Sequence, residues 1–367
     1  MYLKQFVIIF LFSIITISSC HRTQDSVYYE ASYLENYVLV PVDTIVIEYT
    51  EYFSIGSPIF FQGWNSYLLI SDRDNACIWI LDAEFQFITK IGTKGQGPGE
   101  FTDAPIPLLL ENYFWLIDYN TKRAYKFNTE FNLISSALLP DELYILPSSP
   151  IAMGDYYILS AGGYYPQSEP TYYDKYNPLF VLDTVFNVID NILEWDEIYY
   201  EEKYNAYAYS NFITSLARGN KTNFFARQMA SYTIHEIDDN VKRLRIFGRE
   251  PKYYHPPKAG EEFDKIQRST DSFINFMDGT TLFSTIDYDA SINRLYAPYY
   301  NITRDAMVKR NPFLSSRYLQ VFDDKYRLIY DEEIPGIFTF SSNGNIYIRH
   351  KETPGYMKLI TYQLLEQ

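Results

Sequence analysis

The chain has 367 residues and a formal net charge of −15, with 46 acidic residues against 31 basic ones. A surface this acidic repels phosphate backbones, so the charge argues against nucleic acid as a partner. Two cysteines, Cys20 and Cys77, are too few for a disulfide-stabilised scaffold. Aromatic residues make up 18% of the chain, with 37 Tyr and 26 Phe, and no long stretch has a helical period, so we expect an all-β fold.

The N-terminus has the pattern of a bacterial lipoprotein signal. One lysine precedes an almost continuously apolar run from Phe6 to Ile17, which is about the length of a signal-peptide core and short for a membrane span. The run ends in the sequence ISSC, which resembles a lipobox, because small side chains fit the peptidase and the thiol of Cys20 can take the diacylglycerol. We therefore predict a signal peptide over residues 1–19 and lipidation of Cys20. The alternative is a plain signal peptide with an incidental cysteine.

The residue after the lipobox cysteine bears on the location of the protein. It is His21, and the aspartate that usually retains a lipoprotein at the inner membrane is absent there. We expect an outer-membrane lipoprotein that faces the periplasm or the cell surface and contacts the membrane through its lipid anchor. Residues 20–42 are mixed and polar, which predicts a tether to a domain over residues 43–367.

A repeat begins in the first part of that domain. Three strand-like runs between residues 67 and 91 lead into a glycine-rich exit at residues 92–101. When Asp72 is aligned with Asp118, aromatic and aliphatic positions of the two units coincide at an offset of 46 residues. A period of this size, with several strands in each unit, is typical of β-propeller blades.

The most regular feature of the repeat is a turn made of Asp or Asn, two further residues and an apolar residue. The Asp or Asn side chain can bond to the backbone two residues on, and the apolar residue returns the chain to the sheet. The turn begins at Asp82, Asn128, Asp183, Asp238 and Asp323, with spacings of 46, 55, 55 and 85 residues. It is predicted to connect the third and outer strands of a blade.

Two of the longer spacings contain insertions. Residues 162–178 are rich in Tyr and Pro. In residues 256–278, after a Pro-Pro pair, side chains at Phe263, Ile266, Thr270 and Phe273 recur at steps of three and four. This period predicts an amphipathic helix inserted between two blades.

The two ends of the domain complement each other. The strand-like segment Asp43–Glu48 has no blade of its own, and the C-terminal strands stop one strand short of a blade. If the two pair, the ring closes and both unpaired edges disappear. Five turns and this composite blade predict a six-bladed β-propeller with N-to-C strand closure and one inserted helix.

One unit resembles a known repeat. Residues 67–101 end in GQGPGEF, which resembles the exit of an NHL repeat. Residues 43–367 resemble the six-bladed, TolB/NHL-like β-propeller lipoproteins of Gram-negative anaerobes. This resemblance implies the fold and an envelope location, and it implies no activity, since none is established for the family.

Catalytic motifs are scarce. The four histidines, His21, His235, His255 and His350, do not pair at metal-ligand spacing, and no HExxH or nucleophile-elbow pattern is present. We therefore expect no cofactor and no metal. The alternative is a metal-dependent hydrolase or lyase with its site in the central channel, a role that the fold alone does not decide.

Aromatic residues accumulate in the insertions. Tyr164 and Tyr165 lie in the first insertion, and Trp195, Tyr199 and Tyr200 lie among acidic residues before the fourth blade. Such rings offer flat contact area at a low entropy cost, so we predict that they contact a ligand. The predicted function is a monomeric binding or scaffold module for a peptide, glycan or protein partner in the envelope. The alternative is that these rings pack over the blades and cover their apolar faces.

Overall fold

The structure is a computed structural model that describes residues 28–34, 36–162, 173, 176–204, 213–220, 222–259, 263–266, 269–351 and 353–367. Within these residues the strands form six sheets of four or five strands. Each sheet is one blade of a six-bladed β-propeller, with an inner strand at the central channel and an outer strand at the rim. The predicted all-β propeller fold is confirmed.

The first three blades follow one another along the chain. Blade 1 consists of Pro58–Trp64, Tyr67–Asp72, Cys77–Leu81 and Phe87–Ile91, from the inner to the outer strand. Blade 2 consists of Ile106–Leu109, Tyr113–Asp118, Arg123–Asn128 and Leu133–Leu138. Blade 3 has a divided inner strand, Tyr144–Ile145 and Ile151–Met153, followed by Tyr156–Gly162, Leu179–Asp183 and Val188–Ile192.

The last three blades each carry an addition to this plan. Blade 4 consists of Thr214–Arg218, Asn223–Gln228, Ile234–Asp238 and Arg243–Gly248, with Tyr28–Glu30 as a fifth strand at the rim. Blade 5 has a divided inner strand, Thr281–Phe283 and Asp287–Asp289, followed by Arg294–Asn301, Ser316–Phe322 and Leu328–Glu333. Blade 6 consists of Ile337–Ser342, Asn345–Arg349, Tyr356–Glu366 and the N-terminal strand Tyr37–Glu48.

The predicted turns connect the third and outer strands of blades 1–5. In each turn, Oδ1 of the first residue accepts hydrogen bonds from the backbone N–H groups two and four residues later, at 2.7–3.1 Å. The fourth residue has a left-handed backbone, with φ between 59° and 69°. Its side chain packs between blades: the buried ring of Phe186 lies 5.0 Å from that of Trp115. The turn motif is confirmed.

The glycine-rich exit of blade 1 depends on close packing at one glycine. Gly92 has φ 90°, and a Cβ atom there would lie 2.4 Å from the ring of Phe101. Phe101 is fully buried, and its backbone N–H donates to the Thr93 carbonyl at 2.9 Å. The loop therefore folds back under the blade, and a side chain at position 92 would displace the ring that anchors it.

Ring closure follows the predicted scheme over a longer segment. The outer strand of blade 6 begins at Tyr37, and its register with the C-terminal strand extends from Tyr37 opposite Glu366 to Glu48 opposite Tyr356. The expected strand began only at Asp43. The extra length arises because the C-terminal strand continues to Glu366 and supplies partners for residues 37–41.

Residues 28–34, which we call the strap, lie on the rim of two blades. Tyr28–Glu30 runs parallel to Arg243–Gly248, with Tyr28 opposite Ile246. Further along, the Leu328 N–H donates to the Ser32 carbonyl and the Leu34 N–H donates to the Leu328 carbonyl, both at 2.9 Å. The strap and residues 37–42 are thus part of the propeller, so the predicted tether over residues 20–42 is wrong for this part of the chain.

The insertion before blade 5 differs in detail from the predicted helix. Helical segments span Phe263–Ile266 and Thr270–Met277, and the Ser269 side chain accepts from the Ser272 N–H at the start of the second. Within this second helix the buried residues are Ile274, Phe276 and Met277, whereas Phe273 is 38% exposed. The predicted apolar stripe is therefore wrong at Phe273, because the side of the helix that meets the blades lies one residue further on.

The antiparallel order gives the propeller two different faces. Hairpins between the first and second strands, and the turns before the outer strands, all lie at one end of the blades. Connections between the second and third strands, and from one blade to the next, lie at the other end, which we call the insertion face. The long connections on this face belong to blades 3, 4 and 5.

Candidate functional site

The inner strands of all six blades surround a central channel. It contains a cavity of about 1040 Å³ with a wall of both apolar and polar side chains. The residues that line this cavity include Phe60, Gln62, Leu109, Arg218, Asp287 and Ser341, which come from five of the blades. A cavity of this size is large enough for a small ligand.

Two carboxylates of blade 5 accept hydrogen bonds from blade 6, one from its inner strand and one from the turn that follows that strand. Asp287 Oδ2 accepts hydrogen bonds from the Ser341 backbone N–H at 2.6 Å and from its hydroxyl at 2.8 Å. Asp289 Oδ2 accepts from the Gly344 N–H at 2.7 Å. Burial raises the pKa of Asp287, and the bonds from Ser341 oppose that rise. These two side chains join neighbouring blades, so they have a structural role in the channel wall.

The channel was also the place where the sequence suggested a metal site as an alternative. In the part of the chain that the structure describes, no group of three His, Cys, Asp or Glu side chains is close enough to hold a metal ion. Three of the histidines lie apart: His235 in the third strand of blade 4, His255 after that blade, and His350 after the second strand of blade 6. The metal-dependent alternative thus has no ligand set among the described residues.

The long connections of the insertion face meet in one hydrophobic cluster, which we call the insertion cluster. It joins the connection within blade 3, the connection from blade 3 to blade 4 and the helices before blade 5 to residues of blades 3, 4 and 5. Its buried members are Leu146, Tyr173, Trp195, Tyr199, Ala230, Ile266, Phe276, Met277 and Leu282. Apolar burial therefore fixes several connections to one another and to the blades.

Three aromatic rings form the centre of the insertion cluster. The Trp195 ring centroid lies 4.6 Å from that of Tyr199 and 5.0 Å from that of Tyr173. Trp195 Nε1 donates to the Tyr176 carbonyl at 2.5 Å, and the Ala230 N–H donates to the Tyr199 hydroxyl oxygen at 3.2 Å. Burial raises the pKa of Tyr199 well above its usual value. These contacts hold the rings in one arrangement.

The predicted contact residues therefore have different positions. Trp195 and Tyr199 are only 4% and 3% exposed, so their rings cover the blades, as the alternative interpretation of the sequence had it. Tyr200 is 52% exposed, and its hydroxyl donates to the Tyr173 carbonyl at 3.3 Å. Tyr164 and Tyr165, like the lipidation residue Cys20, lie outside the described residues.

Three exposed acidic residues lie on the same connection as Tyr200. They are Glu194, Glu197 and Glu201. Glu194 lies 3.7 Å from Arg243 of blade 4, and Glu201 lies 2.7 Å from Lys203. The outer side of this connection is an acidic-aromatic surface, and the inner side is the hydrophobic cluster.

A buried histidine-carboxylate pair was not foreseen from the sequence. His235 Nε2 lies 2.9 Å from Asp196 Oδ1, with the imidazole 2% and the carboxylate 13% exposed. Asp196 is fixed further by its backbone N–H, which donates to Gln228 Oε1 at 3.0 Å. The pair joins the Trp195 connection to blade 4. Its two members are 39 residues apart, and no spacing rule connects them.

A second unforeseen group is the buried guanidinium of Arg227 in blade 4. Its Nη2 donates to the Ser284 carbonyl at 2.6 Å and to the Pro298 carbonyl at 2.7 Å. The side chain is 1% exposed, and burial lowers its pKa to about 9. Both acceptors belong to blade 5, so Arg227 joins blades 4 and 5 beside the channel.

Comparison with known proteins agrees with this architecture. A family model described as a six-bladed β-propeller, DUF5128, matches residues 29–239, which is more than half of the chain. The chain belongs to this family. No curated protein matches it significantly.

Several solved structures have a similar fold. A member of the DUF4221 family from Bacteroides vulgatus has a TM-score of 0.71 at 15% identity, with 91% of this chain and 99% of that one covered. A "Putative exported protein" from Bacteroides fragilis has a TM-score of 0.58 at 14% identity, with 93% and 99% covered. The PQQ-bound aldose sugar dehydrogenase of Streptomyces coelicolor has a TM-score of 0.50 at 10% identity, with 90% and 99% covered. At these identities the likeness concerns the fold alone.

Proposed function

We propose that this protein is a lipid-anchored envelope β-propeller that acts as a binding or scaffold module for a peptide, glycan or protein partner. The binding surface is the acidic-aromatic surface around Tyr200 on the insertion face. One observation carries this proposal: the long connections of the insertion face share one buried cluster, and one of them exposes Tyr200 together with three glutamates. Loops held by a rigid scaffold are where binding residues concentrate.

The insertion cluster supports the proposal by its rigidity. Trp195 and Tyr199 fix the connection from below, so Tyr200 does not lose much conformational freedom when a partner binds. Binding to a surface ordered in advance avoids part of the entropy cost of association. The neighbouring carboxylates of Glu194, Glu197 and Glu201 favour a partner that presents basic or hydroxyl groups.

The location rests on the N-terminal sequence. The ISSC motif with Cys20 and the absence of aspartate at residue 21 support an acylated protein of the outer membrane. A similar structure carries the description "Putative exported protein". Within the described residues, none of the helices has the length and apolar character that a membrane span requires.

Capture of partners from envelope extracts tests the binding surface. Tagged full-length protein is purified from membranes as the parent and with Tyr200→Ala, Tyr200→Phe or Tyr52→Ala. Tyr52 is 77% exposed on another part of the insertion face and is the matched control. Loss of an interface tyrosine commonly costs more than about 1 kcal/mol, which is roughly a fivefold loss of binding.

We expect Tyr200→Ala to lose the partner, Tyr200→Phe to keep most of it, and Tyr52→Ala to match the parent. The phenylalanine variant separates the ring itself from the hydroxyl contact to Tyr173. Equal capture by Tyr200→Ala and the parent, with unchanged circular dichroism, would rule out this surface.

A further inference from the structure

The divided inner strands of blades 3 and 5 lie on either side of blade 4, and both interruptions are fixed to it. The Ser148 hydroxyl of blade 3 donates to the Thr214 carbonyl at 2.6 Å. The Ile286 N–H of blade 5 donates to the Ser215 hydroxyl oxygen at 2.8 Å. Thr214 and Ser215 both belong to the inner strand of blade 4, so blades 3, 4 and 5 form one connected side of the channel wall.

The two interruptions bring hydroxyl groups to the channel. Ser149 of blade 3 and Ser284 and Thr285 of blade 5 line the cavity. Within the described residues, none of these three hydroxyl groups has a hydrogen-bond partner. Because a hydroxyl group can donate one hydrogen bond and accept two, this part of the wall suits a ligand that carries hydroxyl groups of its own.

A cation lies at one end of the same side of the channel. Arg218 is the last residue of the inner strand of blade 4, lines the cavity and is exposed. In the part of the chain that the structure describes, its guanidinium has no hydrogen bond, ion pair or aromatic contact. A guanidinium can bind a carboxylate through two parallel hydrogen bonds, so Arg218 suits the carboxylate of a ligand.

Most other charged side chains of the cavity wall are already used by the protein. Asp287 and Asp289 accept hydrogen bonds from blade 6, and Asp82 Oδ1 accepts two from the backbone of its own turn. Arg349 is only 5% exposed, and Glu111 belongs to blade 2. Among the described residues, blades 3, 4 and 5 therefore leave one charged side chain of the wall for a ligand, and it is a cation.

The buried guanidinium of Arg227 lies behind this wall. Its Nη2 donates to the Ser284 carbonyl, and its Nε and Nη1 have no partner among the described residues. Burial lowers its pKa to about 9, so the group is still charged at neutral pH. A buried charge without a counterion is costly, and its field is weakly screened inside a protein. Arg227 therefore favours an anion on the Ser284 side of the channel.

We propose that the central channel binds a small hydroxylated carboxylate, such as a sugar acid, on the side formed by blades 3, 4 and 5. Arg218 binds the carboxylate, and Ser149, Ser284 and Thr285 bind the hydroxyl groups. The cavity of about 1040 Å³ is large enough for a ligand of this class. This inference goes beyond the proposed partner binding, because it uses the channel and not the surface around Tyr200.

Isothermal titration calorimetry of the full-length protein, purified in detergent, tests this site. The probes are sodium gluconate and sodium glucuronate, an open-chain and a ring form of sugar acid. Glucose lacks the carboxylate and hexanoate lacks the hydroxyl groups, and both are measured at the same ionic strength as the probes. Arg218→Gln removes the cation and Thr285→Val removes one hydroxyl group. Arg245→Gln is the matched control, because Arg245 is an exposed arginine in the outer strand of the same blade.

We expect at least one of the two sugar acids to bind the parent and Arg245→Gln with equal affinity, and to bind more tightly than glucose or hexanoate. Arg218→Gln should weaken this binding by about tenfold or more, because a charge-assisted contact is lost. Thr285→Val should weaken it by about two- to tenfold. The proposal fails if neither sugar acid binds, or if Arg218→Gln binds as tightly as the parent. Hexanoate binding as tight as that of the sugar acids would refute the role of the hydroxyl groups.

Discussion

Replacement of Trp195 by alanine tests whether this residue belongs to the core or to a ligand surface. The side chain is 4% exposed, packs against Tyr173 and Tyr199, and donates its indole N–H to the Tyr176 carbonyl. Removal of a buried tryptophan side chain costs about 3–5 kcal/mol of unfolding free energy. We expect a loss of this size for Trp195→Ala. Trp195→Phe keeps an aromatic ring and removes the N–H, and should lose about 1–3 kcal/mol.

Urea denaturation of the purified protein measures these differences by linear extrapolation. The neighbouring variant Tyr200→Ala is the control, because its side chain is 52% exposed and surface substitutions usually change stability by less than about 0.5 kcal/mol. Hydrogen exchange at residues 193–204 would show whether the loss is local to this connection. If Trp195→Ala were no less stable than Tyr200→Ala, the structural role assigned to Trp195 would be wrong.

Three further predictions concern a buried carboxylate, ring closure and the lipid anchor. Hydrogen bonds from Ser57, Trp79, Asn75 and Gly56 outweigh the effect of burial and lower the pKa of Asp72. Its stabilising effect is therefore complete above the unfolded pKa of about 4 and is lost as the pH falls through the folded pKa. Acid titration of stability should show a smaller loss in Asp72→Asn than in the parent, and an equal loss would contradict this role. Deletion of residues 37–48 removes the outer strand of blade 6 and should lower the melting temperature strongly or prevent folding, so unchanged calorimetric melting would refute the closure. Cys20→Ala should accumulate as unlipidated precursor on immunoblots after detergent partitioning, and membrane association equal to that of the parent would exclude the lipobox.

Local and periodic features were predictable from the sequence. The turns at Asp82 and Asn128 depend on bonds that span four residues, and those bonds form as expected. The 46-residue period is the number of residues from a position in blade 1 to the equivalent position in blade 2. Ring closure was predictable because unpaired strand edges are unfavourable, and an unpaired strand at each end of the domain would leave two of them exposed.

Long-range packing was beyond the sequence pattern. Trp195 is buried in one cluster with Tyr173 and Ile266, which come from other connections. His235 finds Asp196 across 39 residues, and Tyr28 finds Ile246 across more than half of the chain. Aromatic character alone does not distinguish a ring at a surface from one beneath it. Trp195 and Tyr200 were therefore both expected to contact a ligand, whereas Trp195 is buried and Tyr200 is exposed.

The proposed function requires the surface around Tyr200 to contact a partner in the envelope. A photo-reactive amino acid at position 200 of the full-length protein, irradiated in intact cells, tests that contact directly, and the same substitution at Tyr52 is the control. We predict a discrete cross-linked species from position 200 that is absent from position 52. Irradiation that yields no adduct at position 200, or the same adducts at both positions, would contradict it.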